Sequence, residues 1–286
     1  MLTVIHAVLL LVAMALPIAG YTVPKVAATI NPIHLLVIDV GRGVVQPVLP
    51  SVGVSCVHDY VLKPSDVAGL NSANIVFYVD EHMEPYIKKL SRDSGKTLVR
   101  LSDVVELLPQ RSSTNSKHGH NFMDFHIWLS PDNVKKIVKK ICATLSEADP
   151  ENAPIYRSNT RTILQNLVTM TDNISKVLEP VKDIPYIVVH DAYQYFDRFF
   201  GLNFVASLPS NHATANELVA AKNAAKRHSV RCIFTDVPDY QHGHKLVNEA
   251  VKVRYLDPVG ISIPPKTGGY FKLMETLAHG FRECLE

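Results

Sequence analysis

Apolar positions along the chain fall into two alternating periodicities. Short runs rich in β-branched residues, Val26–Ile30, Gln46–Leu49, Ile75–Val79 and Thr97–Leu101, are separated by stretches of helical spacing such as His34–Val40 and Glu84–Ser91. This alternation predicts βαβ units on a parallel sheet. Ser130 then precedes Pro131 as a cap followed by a first-turn proline. Val134, Ile137, Val138, Ile141 and Leu145 follow at helical spacing, so that helix is expected to bury one face. Asp149-Pro150-Glu151 repeats the start signal, and Ile163, Leu167, Met170, Ile174 and Val177 continue the stripe with no breaker before Pro180. The expected helix has about 30 residues and a length of roughly 45 Å, a strut rather than an ordinary globular helix.

The second half repeats the first. Its strand candidates are Tyr186–Val189, Phe204–Leu208, Arg231–Thr235 and Val253–Leu256. Helices are expected over Ala192–Phe200, closed by Gly201, over Glu217–Arg227 with Thr214 and Glu217 as a capping box, over Tyr240–Val251, and near Phe271–Cys284. The fold class expected is α/β. Two lobes, 23–148 and 183–286, each carry a four-stranded, mainly parallel sheet flanked by helices, and one long rigid helix across 149–182 joins them.

Composition narrows the class without changing that picture. A chain of 286 residues suffices for two lobes with cores of their own, and 47% hydrophobic with 20% charged residues is the balance of a folded protein. A net charge of +2, from 29 basic and 27 acidic residues, gives no reason to expect nucleic acid or an anionic membrane surface as a partner. The uninterrupted apolar run Ala7–Leu16, followed by Pro17, Ala19 and Gly20, suits the core of an export signal, expected to occupy residues 1–22. Its flank holds His6 but no Lys or Arg, and no clean A-x-A site follows. A retained anchor or a buried first strand are the alternatives. No other segment has the length of a membrane span, so a soluble, exported protein is expected. None of the four cysteines, Cys56, Cys142, Cys232 and Cys284, forms a C-x-x-C pair. A zinc ribbon or a thioredoxin-type site therefore has no support, whereas an oxidising compartment would permit a disulfide.

Among the 13 histidines, three share a context. His58 lies in VHDYVLKPSD and His190 in IVVHDAYQYF, each between a strand and a helix, while His126 lies in MDFHIWLSP ahead of another helix. Ligands of open parallel sheets bind beyond the carboxyl ends of strands, and a fourth strand end delivers Asp257 in YLDPVG. Three imidazoles and a carboxylate satisfy four-coordinate Zn²⁺. Packing or hydrogen bonding is the plainer reading of any one such histidine, and the spacing fits no short zinc signature.

The segments HDYVLKPSD, FHIWLSPDN, VVHDAYQYFDRFFGL and LDPVG, in this order, resemble the motifs of the zinc- and manganese-binding solute-binding proteins of bacterial ABC importers, over nearly the whole chain. The resemblance implies metal ligands at His58, His126 and His190, with Asp257 as the candidate fourth. It implies Zn²⁺ as the captured ligand, with Mn²⁺ the alternative of the sister branch, where glutamate usually stands at the third position. It further implies a periplasmic, monomeric binding protein that delivers its ion to the permease of an ABC importer, and a disulfide between Cys232 and Cys284. The long histidine-rich loop common in the zinc branch is reduced here to KHGHN, leaving His118 and His120 as possible accessory ligands. A second HGH, His242 and His244, reads as a solvated turn. Cys56 stands two residues before His58, as a buried thiol or a spare soft ligand. Asp59 and Asp191, beside the histidines, suit either support of a metal-bound imidazole or helix capping.

No catalytic residues are assigned and no enzyme is expected. The competing classes are a zinc-dependent hydrolase, which a three-histidine site would permit, and a surface adhesin. Against the hydrolase, no H-E-x-x-H occurs, and Asp257 as a fourth ligand would fill the place of a catalytic water.

Overall fold

The computed structural model describes residues 22–50, 62–90, 95–111, 123–207, 215–236 and 251–286. Its first sheet is wholly parallel, in the order β1 (Val26–Ala28), β2 (Ile75–Tyr78), β3 (Thr97–Arg100). Around it lie α1 (Asn31–Val40), α2 (Pro64–Ser72) and the short α3 (Ile87–Leu90). The fourth strand expected at Gln46–Leu49 is reduced to one parallel bridge, Val48 against Ala27. Pro47 and Pro50 flank it and have no N–H to give, so the ladder ends after a single rung. The helix expected from Glu84 begins only at Ile87. The Glu84 carboxylate instead accepts the backbone N–H groups of Val79 (2.7 Å) and Asp80 (3.2 Å), and Pro85 follows it.

A two-stranded antiparallel hairpin, β4 (Leu108–Pro109) with β5 (Met123–Asp124), follows and has no counterpart in the sequence pattern. Then come α4 (Pro131–Ala148), capped by the Ser130 hydroxyl accepting from the Asn133 N–H at 3.2 Å, and α5 (Ala153–Leu178). α5 holds 26 residues behind a 3-10 turn at Pro150–Asn152, somewhat shorter than expected. Its buried stripe runs Tyr156, Ile163, Leu167, Met170, Ile174 and Leu178.

The second sheet has the order β7-β6-β8-β9, again all parallel, from β6 (Tyr186–Val188), β7 (Phe204–Ser207), β8 (Cys232–Thr235) and β9 (Lys252–Tyr255). Its four strands match the sequence expectation to within a residue or two. α6 (Gln194–Phe200) ends on Gly201, whose φ of 72° is the left-handed conformation glycine adopts without strain. α7 (Ala215–Arg227) and α8 (Gly269–Leu285) complete the described elements. The expected helix at Tyr240–Val251 and the Thr214 cap lie outside the described residues, apart from Val251. None of the described helices is long and apolar enough to cross a membrane.

Each sheet buries both faces, with the period of two that a strand imposes. Val26, Ala28, Ile75 and Phe77 face inward, and so do Tyr186, Val188, Cys232 and Phe234. All eight belong to one continuous core completed by α1, α4, α5 and α8. Ala27, Val76 and Tyr78 pack outward under α2 and α3, and Ile187 and Ile233 pack outward under α7. The core is thus shared between the sheets. Trp128, fully buried, donates its indole N–H to the Pro258 carbonyl at 2.8 Å, and the Tyr270 hydroxyl donates to the Trp128 carbonyl at 2.7 Å. At Gly269 a Cβ would lie 2.5 Å from Leu35 Cδ2, so α8 packs closely on α1 there and any larger residue would require Leu35 to shift.

Cys232 and Cys284 are joined in a disulfide, as the resemblance implied. The bridge ties β8 to the last turn of α8 and closes 52 residues of chain, a constraint worth about 2–4 kcal/mol. Cys142 is free and buried.

Candidate metal centre

The carboxyl ends of the strands deliver the chemistry. His190 follows β6, Asp236 follows β8 and Asp257 follows β9, while His126 follows the hairpin strand β5. The imidazoles of His126 and His190 meet with ring centroids 5.1 Å apart and planes at 69°. Trp128 lies edge-on to His126 at 5.3 Å, so one wall of this pair is aromatic and dry.

Each ring is held from behind by a carboxylate. His126 Nδ1 lies 2.7 Å from Asp124 Oδ1, and the same oxygen accepts the His126 backbone N–H at 2.9 Å. His190 Nδ1 lies 2.6 Å from Asp236 Oδ2. A carboxylate on Nδ1 fixes the proton there and directs coordination to Nε2, the arrangement typical of metal-bound histidine. The charges respond in concert. Burial alone would pull the His190 pKa down, but the hydrogen bond and charge of Asp236 raise it above 6.5. Burial would raise Asp236, and the hydrogen bond and charge of His190 bring it below the usual aspartate range.

Asp257 is engaged by its own loop. Its Oδ1 accepts the N–H groups of Val259 (3.1 Å) and Gly260 (2.7 Å), and burial raises its pKa against these bonds. The turn so braced reaches the first lobe, where Asn31 Nδ2 donates to the Val259 carbonyl at 3.2 Å. Among the described residues no three His, Cys, Asp or Glu side chains come together to hold a metal. His58, the third expected ligand, lies outside the described residues, as do His118, His120, His242, His244, Cys56 and Asp59.

Asp191 does not support His190 and does not cap α6. Its carboxylate is taken by Arg111, whose Nε donates at 2.9 Å. Arg111 also reaches buried Asp197 at 2.8 Å and stacks on Phe204 with its guanidinium carbon 3.5 Å from the ring centroid. The Tyr195 hydroxyl donates to the Asp124 carbonyl at 2.8 Å and accepts the Leu108 N–H at 3.0 Å. The hairpin that carries Asp124 is therefore pinned to α6, and the two histidines are held in one frame.

Sequence reasoning passed over both supporting carboxylates. Asp124 was open to discovery, because an aspartate two residues before a histidine can bond both its backbone and its ring. Asp236 was not, being 46 residues from its partner and adjacent to it only because β8 lies beside β6. Asp236→Asn is expected to weaken metal binding by about 10- to 100-fold, the usual cost of losing such a support. A chelator-competition titration measures it, and an unchanged affinity would remove Asp236 from the site.

The chain matches, over residues 26–284, the family model described as zinc-uptake complex component A, periplasmic. It is 28% identical to the high-affinity zinc uptake system protein ZnuA of Brucella abortus (strain 2308), over 91% of this chain and 91% of that one. Identity to the protein of the same name from Haemophilus ducreyi is also 28%, covering 91% and 93%. The crystal structure of ZnuA superposes with a TM-score of 0.80 at 21% identity, covering 93% of this chain and all of the other.

Proposed function

The chain belongs to the family of periplasmic A components of zinc-uptake complexes, and from that premise we propose that it captures Zn²⁺ outside the cytoplasm and hands it to the permease of an ABC importer. The observation that carries this reading is the meeting of His126 and His190, each with its Nδ1 on a buried carboxylate. In our reading Nε2 of both rings and an imidazole nitrogen of His58 bind the ion, and Asp257 is the fourth ligand. The ion is cargo rather than cofactor. Its release requires only that the ligands separate or take up protons, and the three imidazoles favour Zn²⁺ over the harder Mn²⁺. The lobes 23–148 and 183–286, on either side of the connecting helix, each contribute ligands. We read the protein as a binding protein rather than a hydrolase, in keeping with its family. With Asp257 as a fourth protein ligand, as proposed, no position would be left for a catalytic water.

Zn²⁺ and Mn²⁺ presented together to the metal-free protein test the assignment. Zn²⁺ is expected to be retained at one equivalent against a large excess of Mn²⁺, and preferential Mn²⁺ retention would overturn it. The same titration has a pH signature. Protonated imidazole does not coordinate, and Asp236 holds the His190 pKa above 6.5 in the metal-free protein. Affinity is therefore expected to fall as the pH is lowered, beginning higher than an unperturbed histidine would dictate. An affinity flat between pH 8 and 5 would contradict a histidine site.

A further inference from the structure

The Asp124-x-His126 arrangement occurs twice. Asp80 stands two residues beyond β2, as Asp124 ends β5, and Asp80 Oδ1 accepts the backbone N–H of His82 at 2.9 Å and lies 2.7 Å from His82 Nδ1. These are the contacts and distances that Asp124 makes to His126. Behind it, the Ser102 hydroxyl donates to Asp80 Oδ2 at 2.6 Å. The His82 ring stacks on Phe125, the middle residue of the second motif, with centroids 5.8 Å apart and planes within 4°. The two rings differ in exposure. The His82 side chain is 73% exposed and that of His126 is 7% exposed. Among the described residues His82 Nε2 makes no hydrogen bond.

A turn alone would need only the backbone bond to Asp80. Fixing an exposed imidazole as well costs side-chain freedom, and here two contacts fix it, buried Asp80 on Nδ1 and Phe125 on the ring face, with Ser102 holding Asp80 from behind. What results is an imidazole with its proton held on Nδ1 and Nε2 directed to solvent, next to the segment that carries His126. We propose that His82 is the ligand that first takes Zn²⁺ from solution and passes it to the buried histidines. One imidazole holds Zn²⁺ weakly, so this contact raises the local concentration of the ion along the route and adds nothing to the final complex. A ligand used only in transit speeds entry and exit by the same factor and leaves the equilibrium unchanged.

The inference rests on the proposed zinc site, and the experiment separates the two. Trp128, the only tryptophan, lies beside His126 and reports metal arrival by its fluorescence. Buffered Zn²⁺ is mixed in stopped flow with the full chain, and the ion is later withdrawn with excess chelator. His82→Gln is expected to lower both the association and the dissociation rate constants about fivefold, with Kd unchanged. Asp80→Asn, which retains His82 but loses the carboxylate on Nδ1, is expected to move both rates in the same direction by less. Unchanged rates in His82→Gln would overturn the proposal. So would a weakened Kd at an unchanged association rate, which would make His82 part of the bound state. Failure of the zinc site itself would appear earlier, as no Zn²⁺ uptake by the unaltered protein.

Discussion

His190→Ala is expected to reduce Zn²⁺ affinity by more than the roughly 10- to 100-fold that loss of a supporting carboxylate costs, leaving no tight binding in a chelator competition. The substitution removes an imidazole whose Nδ1 is held 2.6 Å from Asp236, leaving Nε2 for the ion, and whose ring lies against His126. It also leaves Asp236 without its hydrogen-bond partner from His190. Pairing with His190 is what holds the Asp236 pKa down, so burial then dominates and the carboxylate moves toward its protonated form. The fold should survive, because the His190 side chain is 29% exposed and the penalty is that of one buried group losing its partner, about 1–3 kcal/mol. Retention of near-native affinity in a folded His190→Ala protein would show that the paired histidines are a packing contact and not a metal site.

Trp128→Ala carries the largest expected effect on stability, a loss of about 3–5 kcal/mol in urea unfolding, as for other large aromatic truncations in cores. Its side chain is wholly buried, and truncation leaves a cavity beside His126 and strips the Pro258 carbonyl of its donor. Pro258 belongs to the turn that Asp257 braces, so the damage crosses from one sheet to the other. Unfolding should remain a single transition at lower urea. Two separated transitions, or a loss below about 1 kcal/mol, would contradict a shared core centred on this residue.

The fold was largely legible because the central strands of both sheets are short apolar runs and the major helices announce themselves. Ser130-Pro131 begins α4 and Gly201 ends α6 where expected. What escaped was set by neighbours distant in sequence or by single atoms. Prolines without N–H groups reduced the Val48 strand to one bridge. The β4–β5 hairpin has only two residues a side, too few to show a period. At the site, the rings of His126 and His190 meet, and the carboxylates behind them are not the aspartates adjacent in sequence. Asp191, adjacent to His190 in sequence, turns to Arg111, while Asp236 arrives from a parallel neighbour strand. Adjacency along the chain is a poor guide to support of a side chain that leaves a strand end, because neighbouring strands place their own ends at the same edge.

The closeness of α8 to α1 also constrains the order in which the molecule can be completed. Leu35 packs against Gly269, so the inner face of the first lobe is covered by a helix that leaves the ribosome more than two hundred residues later. At about 5–20 residues per second, that gap is on the order of ten seconds or more of synthesis. Throughout it an apolar face stands uncovered, whereas Cys232 precedes its partner Cys284 by only 52 residues. The inner face of the first sheet therefore cannot be covered until the last helix exists, wherever the chain folds, so the two sheets are completed together and not one after the other.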